Sequence, residues 1–227
     1  MAGRVAYYGG IVRDGLVLNL DAAKRDSYPG TGTTWRDISG NQNNGTLVNG
    51  PTFNAGNGGS IVFDGVDDYV QNNFIATTSI GSGNEFTMSC VFKTSQNLQQ
   101  MLIGCPNTPR FYMSLFNRTG VLIVHWGIGN NNNSDTSSTI LNINIIYNYT
   151  YTYDGNTVYS YLNGILVDTN TIGTQIYNSN PLRIGKYTDL APLQLSGNTY
   201  QTLIYNRALT AQEVLQNYNA TKGRYGL

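Results

Sequence analysis

The chain is short of charge. Thirteen Lys and Arg offset thirteen Asp and Glu, and charged residues make up only 11 % of 227. Globular chains usually carry about 25 %. So sparse a chain cannot lay down a broad basic stripe, which excludes nucleic-acid binding by phosphate neutralisation. It also has little self-repulsion, so a packed assembly is a natural setting. No run of about 18 apolar residues exists to cross a membrane, and no apolar signal core follows Met1. The expectation is a protein made in the cytoplasm, with no membrane partner.

Chemically useful residues are scarce too. His125 is the only histidine, so no pair of histidines can hold a metal. It lies in an alternating run beside Trp126 and reads as structural. The two glutamates are Glu85 and Glu213. Glu85 opens a strand and Glu213 belongs to a helix cap, so the paired carboxyls of a glycosidase are missing. No nucleophile motif and no Gly-rich phosphate loop between strand and helix is present. No catalytic, cofactor-binding or metal-ligating residue is therefore assigned, and the protein is expected not to be an enzyme. Cys90 and Cys105 are the only cysteines. Two make no disulfide framework. Cys90 sits in an alternating strand as a small buried hydrophobe, and no bridge between them is expected in a reducing compartment.

What is present is strand after strand. Leu16, Leu18 and Leu20 alternate with Val17, Asn19 and Asp21 and predict a half-buried strand with the leucines inward. From 22 to 59 Gly, Asn, Pro and Thr dominate, and Asn44-Gly45 and Asn49-Gly50 are turn pairs. Strands resume at 60–63 and 69–70. In 85–94, Phe86, Met88, Cys90 and Phe92 share one face, with Thr87, Ser89, Val91 and Lys93 on the other. Further strands are predicted at 101–104, 110–117, 121–128, 147–153, 157–162, 165–168, 182–185 and 199–205. Asn130 to Asn133 reads as a polar loop. About a dozen short strands at this spacing predict an all-β sandwich or jelly roll. One helix follows: Thr210 and Glu213 form a capping box, with Val214, Leu215 and Tyr218 as its apolar face. Residues 1–14 precede the sandwich domain of 15–227 as an arm.

Phe63-Asp-Gly-Val-Asp-Asp-Tyr-Val70 gathers three carboxylates in five residues. The plain reading is a tight turn in which Asp64 and Asp67 cap backbone amides. The sharper one is a Ca2+ site at Asp64, Asp67 and Asp68, completed by Asp21 or Asp37, although the spacing is not that of an EF-hand. No cofactor is otherwise expected.

Several stretches carry a family resemblance: Gly-Leu-Val-Leu-Asn-Leu-Asp-Ala at 15–22, the 28–41 segment through Trp35-Arg-Asp, Asn-Asn-Gly-Thr-Leu at 43–47, and the 63–70 segment. Thr-Tyr-Asp-Gly at 152–155, Tyr-Leu-Asn-Gly at 161–164 and 204–214 continue it. Together they resemble the laminin-G-like, concanavalin A-like lectin/glucanase superfamily, and the ending resembles modules of tailed-phage virion proteins. The resemblance implies two antiparallel sheets of six or seven strands and a largely structural Asp-Gly-x-Asp-Asp segment. The family's Trp before Thr-Tyr-Asp-Gly is replaced here by Ile146, with Tyr147, Tyr149, Tyr151 and Tyr153 as packing substitutes. It implies a non-enzymatic virion structural protein: a capsid decoration, head-fibre or tail-associated module. Its partners would be other virion proteins, such as capsid or tail subunits, and further copies of itself. The alternative is a carbohydrate-binding receptor or adhesin module, with Tyr28, Tyr177 and Tyr187 as candidate sugar contacts.

Overall fold

The computed structural model describes residues 10–80, 85–105, 109–129, 140–177, 180–188 and 193–227. Residues 1–9 of the expected arm and the expected loop at Asn130–Asn133 lie outside them. The strands in chain order are Leu16–Asp21 (β1), Thr34–Trp35 (β2), Gly45–Val48 (β3), Thr52–Asn54 (β4), Ser60–Asp64 (β5), Tyr69–Ile75 (β6), Phe86–Thr94 (β7) and Gln100–Cys105 (β8). They continue as Arg110–Arg118 (β9), Val121–Gly129 (β10), Tyr147–Tyr153 (β11), Thr157–Leu162 (β12), Ile165–Thr171 (β13), Pro181–Ile184 (β14) and Ser196–Tyr205 (β15). A single helical turn, Ala76–Ser79 (α1), follows β6, and Ala211–Tyr225 (α2) follows β15.

The strands form two antiparallel sheets. One has eight strands in the order β13-β12-β11-β7-β15-β5-β4, with β1 also paired to β15. The other has seven, in the order β10-β9-β8-β14-β6-β3-β2. The 22–59 stretch, expected as turns, contributes β2, β3 and β4. Its turn residues are real, with positive φ at Asn49 and Gly50, but they separate strands too short to show alternation.

The period-2 rule of strands sends alternate side chains to opposite faces. The faces that meet form one core: Phe86, Met88, Cys90, Phe92, Tyr149, Tyr151 and Tyr153 from the eight-stranded sheet, against Phe111, Met113, Leu115, Val124, Trp126 and Ile184 from the seven-stranded one. Tyr151 stacks on Trp126 at 6.0 Å. Tyrosines fill this core, as the sequence proposed. Ile146 lies at the other side of the sheet, packed against Val91, Tyr200 and Tyr225. Cys90 and Cys105 are both buried and unbridged, and burial pushes each thiol up to about 12.

Two expectations are corrected. A bulge between Leu16 and Leu18 turns Leu16 to the outer cluster, while Val17, Leu18 and Leu20 enter the core. Helix α2 buries Val214, Asn217, Thr221 and Tyr225, whereas Leu215 is exposed. Polar Asn217 is tolerated inside because its Oδ1 accepts the Val12 N–H at 2.8 Å and its amide donates to the Tyr205 hydroxyl at 3.0 Å. The capping box at Thr210 and Glu213 is present. The helix lies on the outer face of the eight-stranded sheet, with Val214 against Leu203, Tyr205 and Leu209, and Tyr225 against Tyr200. This cover explains why Thr87, Ser89 and Val91, the outward residues of β7, are buried as well.

Candidate functional site

Among the described residues, neither α1 nor α2 is packed on the outer face of the seven-stranded sheet, although Met101, Tyr112 and Ser114 on that face are buried. On β9 the outward residues are Arg110, Tyr112, Ser114, Phe116 and Arg118, because Phe111, Met113 and Leu115 point into the core. Their neighbours on β10 are His125 and Gly127, since Val124, Trp126 and Ile128 point inward.

The aromatic side chains on this face touch. Tyr112 meets His125 at 5.7 Å between centroids, and its hydroxyl shares a 3.2 Å hydrogen bond with His125 Nδ1. Phe116 meets the other side of His125 at 5.7 Å. Tyr187, from the segment after β14, closes edge-on over Tyr112 at 5.9 Å. Burial pushes the Tyr112 hydroxyl up to about 12, with Arg110 pulling it down and Tyr187 adding to the rise. The hydroxyl therefore stays neutral, a hydrogen-bonding group and not a base. A cavity of about 190 Å³ opens here, lined by Tyr112, Tyr187, Arg110, Ser114, Gln99 and Met101, with Leu193 at its edge. Farther along the face, Tyr69 of β6 carries Lys186 at 4.9 Å and Arg183 at 5.3 Å over its ring.

Register explains the spacing. Gly127, Tyr112, Gly104, Arg183, Gln71 and Thr46 are successive cross-strand partners through β10, β9, β8, β14, β6 and β3. Tyr112 is thus a ring between two glycines, and beyond Gly104 stands a guanidinium. Arg183 Nε donates to Gln71 Oε1 at 3.1 Å.

The sequence candidates divide. Tyr187 belongs to this face. Tyr28 and Tyr177 do not: both belong to the core between the sheets, whereas Tyr112, itself only 7 % exposed, lies on the outer face. Tyr28 packs on Phe53 and donates to the Gly32 carbonyl at 2.7 Å; Tyr177 sits in the core against Phe86 and Phe111. His125, read as a structural strand residue, is part of the aromatic row. Tyr112, Phe116 and Arg110 were not singled out by the sequence. The one hint was glycine inside strands, at Gly104 and Gly127, which marks a close approach by another group.

The acidic segment lies at a rim, where the chain crosses from β5 in one sheet to β6 in the other. Asp64 Oδ1 accepts the Val66 N–H at 2.8 Å and the Asp67 N–H at 3.4 Å, and Asp68 Oδ2 accepts the Asp64 N–H at 3.0 Å. The caps are therefore Asp64 and buried Asp68; Asp67, expected as a cap, is exposed and contributes its carbonyl to Asn49 Nδ2. Burial raises the Asp68 pKa, and Asp64 and Asp67 add to the rise against the lowering hydrogen bond. One carboxylate oxygen from each of the three lies within 4.8 Å of the others, a spacing that suits Ca2+. Neither proposed helper joins them. Asp37 accepts the N–H groups of Asn19, Ser39 and Asn43. Asp21 is committed to Arg224, Gln201 and Tyr225. Glu213 is held by Arg207 at 2.6 Å and by its cap, and Glu85 is exposed just before β7.

Two facing antiparallel sheets with one C-terminal helix are the architecture of a concanavalin A-like, lectin-like fold. The chain belongs to the Concanavalin A-like lectin/glucanases superfamily, whose family profile matches residues 63–215, more than half of its length. Its backbone is similar to several solved structures at low identity. Trypanosoma rangeli sialidase in complex with sialic acid is 16 % identical with a TM-score of 0.67, over 92 % of this chain. This chain spans only 33 % of the sialidase's length. The binding domain of Paraclostridial Mosquitocidal Protein 1 is 19 % identical with a TM-score of 0.69, over 92 % of this chain and 52 % of that one. Domain 4 of AbnA, a GH43 extracellular arabinanase from Geobacillus stearothermophilus, in complex with arabinotriose, is 17 % identical with a TM-score of 0.66, over 89 % and 98 %. These likenesses concern the fold. No curated protein matches the chain in sequence.

Proposed function

We propose that this protein is a non-enzymatic carbohydrate-binding module that takes its ligand on the outer face of the seven-stranded sheet. The observation that carries the reading is the contacting row Tyr187, Tyr112, His125 and Phe116 over a hollow lined by Ser114, Gln99 and Arg110. Sugar rings stack on such aromatic faces, and hydroxyl and amide groups orient their hydroxyls. Two of the similar structures are a binding domain and a domain in complex with arabinotriose, which agrees with this use of the fold. Glu213, one of only two glutamates, is taken up by Arg207 and Thr210, which argues against a glycosidase pair here. Purified protein applied to a glycan array should retain saccharides, and Tyr187→Ala should abolish retention while leaving the unfolding midpoint within error. Absence of retention by the native protein would overturn the reading.

The setting we propose is a tailed-phage particle, assembled in the host cytoplasm, with other virion proteins and further copies as partners. Besides the resemblance of the chain's ending, one surface feature favours it. The β12–β13 hairpin tip meets α2 where Gly164 approaches Leu215, and Ile165, Leu166 and Leu215 are 68 %, 50 % and 39 % exposed there. Clustered exposed apolar side chains mark contact surfaces. Antibody against the protein should label purified particles, and Ile165→Asp should release it from them.

A further inference from the structure

The outermost strands of a sheet keep main-chain donors and acceptors that a strand of another molecule can take up. Five strands hold such positions in the two sheets: β2, β10, β1, β4 and β13. Four of them are short or covered. β2 has two residues and β4 has three. Leu141 bridges to Leu122 of β10, and Asn19 of β1 gives its N–H to Asp37 and accepts the Ile38 N–H on its carbonyl. β13 differs. It runs for seven residues, and among the described residues no strand pairs with its outer side. Its ladder with β12 shows which groups face out. The Asn163-Gly164 turn closes at the Leu162–Ile165 pair, so the next residue, Leu166, faces away from β12. Val167 is then an extra residue, between the pairs Tyr161–Leu166 and Ser160–Asp168. At the far end Ile172 donates its N–H to the Asn156 carbonyl at 2.8 Å, so Thr171 and Thr169 alternate outward. All three outward residues are exposed.

The middle donor of this edge is occupied from within. Asp168 Oδ1 accepts the Thr169 N–H at 2.8 Å, and its Oδ2 accepts Asn170 Nδ2 at 2.8 Å. We infer that Asp168 guards this edge, closing it to the partner it otherwise fits, the β13 strand of a second copy of the chain. Two β13 strands related by a two-fold axis at Thr169 would run antiparallel, as the strands of the sheet itself do. A chain with no net charge offers such an approach no long-range repulsion. Asp168 opposes it twice at close range. The pair needs the Thr169 N–H to donate across the axis, and that N–H is already taken. The pair also brings the two Asp168 side chains together as diagonal neighbours of like charge, which is unfavourable. The extra residue at Val167 adds local twist, a second obstacle to a straight partner. Contacts through side chains of the hairpin tip stay open; extension of the sheet does not.

The test uses the full chain. Asp168→Thr removes the carboxylate and its hydrogen bond and supplies a strand-forming residue. In sedimentation velocity over a concentration series, its apparent mass should rise to twice the wild-type value. Amide exchange at Leu166 and Thr171, resolved by NMR, should slow in step. Asp168→Lys keeps a charge on the edge and should sediment as the wild type does. Adding Leu166→Lys to Asp168→Thr should return the mass to the wild-type value. Four results overturn the assignment: a wild-type mass for Asp168→Thr; equal association of Asp168→Lys, which marks a general loss of structure; a doubled mass that survives Leu166→Lys, which places the contact elsewhere; or exchange at Leu166 and Thr171 already as slow in the wild type.

Discussion

The phenol ring of Tyr112 lies against Gly127, its register partner on β10: a β-carbon there would come within 2.5 Å of the ring's Cε1. On the other side, a β-carbon on Gly104 would collide with Tyr112 Cβ. The ring is laid across the sheet because its two neighbours have no side chains.

Gly127→Ala should therefore lift or tilt Tyr112. Overpacking of this kind costs about 1–3 kcal/mol, so the urea midpoint should fall. Saccharide retention should fall with it, beyond what the lost stability explains. Retention unchanged at full occupancy of the folded state would detach Tyr112 from the site.

Asp21 and Arg224 join the first strand to the last helix at 2.8 Å, with the Asp21 side chain 1 % exposed. Arg224→Ala leaves the carboxylate with Ala23 N–H, Gln201 and the Tyr225 hydroxyl as donors. The expected loss is about 2 kcal/mol, the scale of one hydrogen bond to a buried charge. It should appear in denaturant unfolding together with faster amide exchange in 211–225. A loss confined to the helix, with the sheets unaffected, would show that α2 is an appendage and not part of the cooperative unit.

Glu213 gives the fold an acid limit. Hydrogen bonds from Arg207 hold its carboxyl down to about 2 from the ordinary 4.5. A depressed acid stabilises the fold above its unfolded pKa, and that contribution is lost as pH falls from about 4.5 towards 2. Asp68 acts with the opposite sign: its raised pKa favours folding below the ordinary carboxylate range and opposes it above. Thermal melts between pH 5 and pH 2 should steepen in the wild type and flatten in Glu213→Gln. Parallel curves would mean that the Arg207 pair does not distinguish the folded from the unfolded chain.

The acidic turn is expected to work without an ion. Asp64→Ala removes two acceptor contacts to main-chain amides and should cost about 1–2 kcal/mol. Calcium and EDTA should give the same melting temperature for the wild type. A rise in melting temperature with calcium, absent in Asp67→Ala, would convert the turn into a metal site, since a ligand that binds the native state alone raises its stability by mass action.

The sequence carried the inward faces of β7 and β11 and the Thr210–Glu213 cap, because each is written in local periodicity or spacing. It did not carry the buried face of α2. Asn217 and Thr221 look like surface residues, and only partners far along the chain, Val12 and Tyr205 among them, make Asn217's burial affordable. The same holds for the site. Alternation divides β9 into Phe111, Met113, Leu115 and Tyr112, Ser114, Phe116, but both sets look mostly apolar. Which set faces inward depends on where the eight-stranded sheet packs, and that is decided by tertiary contacts. Tyr187 was legible because it sits outside a strand. Tyr28 and Tyr177 shared that property and still turned inward, where Phe53, Phe86 and Phe111 received them.

The position of β15 sets a timetable. Along one edge it bonds to β7; along the other it bonds first to β5 and then to β1, where Leu16 meets Tyr205. Each of those strands is synthesised long before its partner exists. Closing such distant pairs is slow, because chain entropy is lost before contacts compensate it. A ribosome that has passed β14 but not Ser196 holds a chain with β1, β5 and β7 all open-edged, the condition in which strands seek the wrong partners. The eight-stranded sheet is thus completed only once β15 has been made.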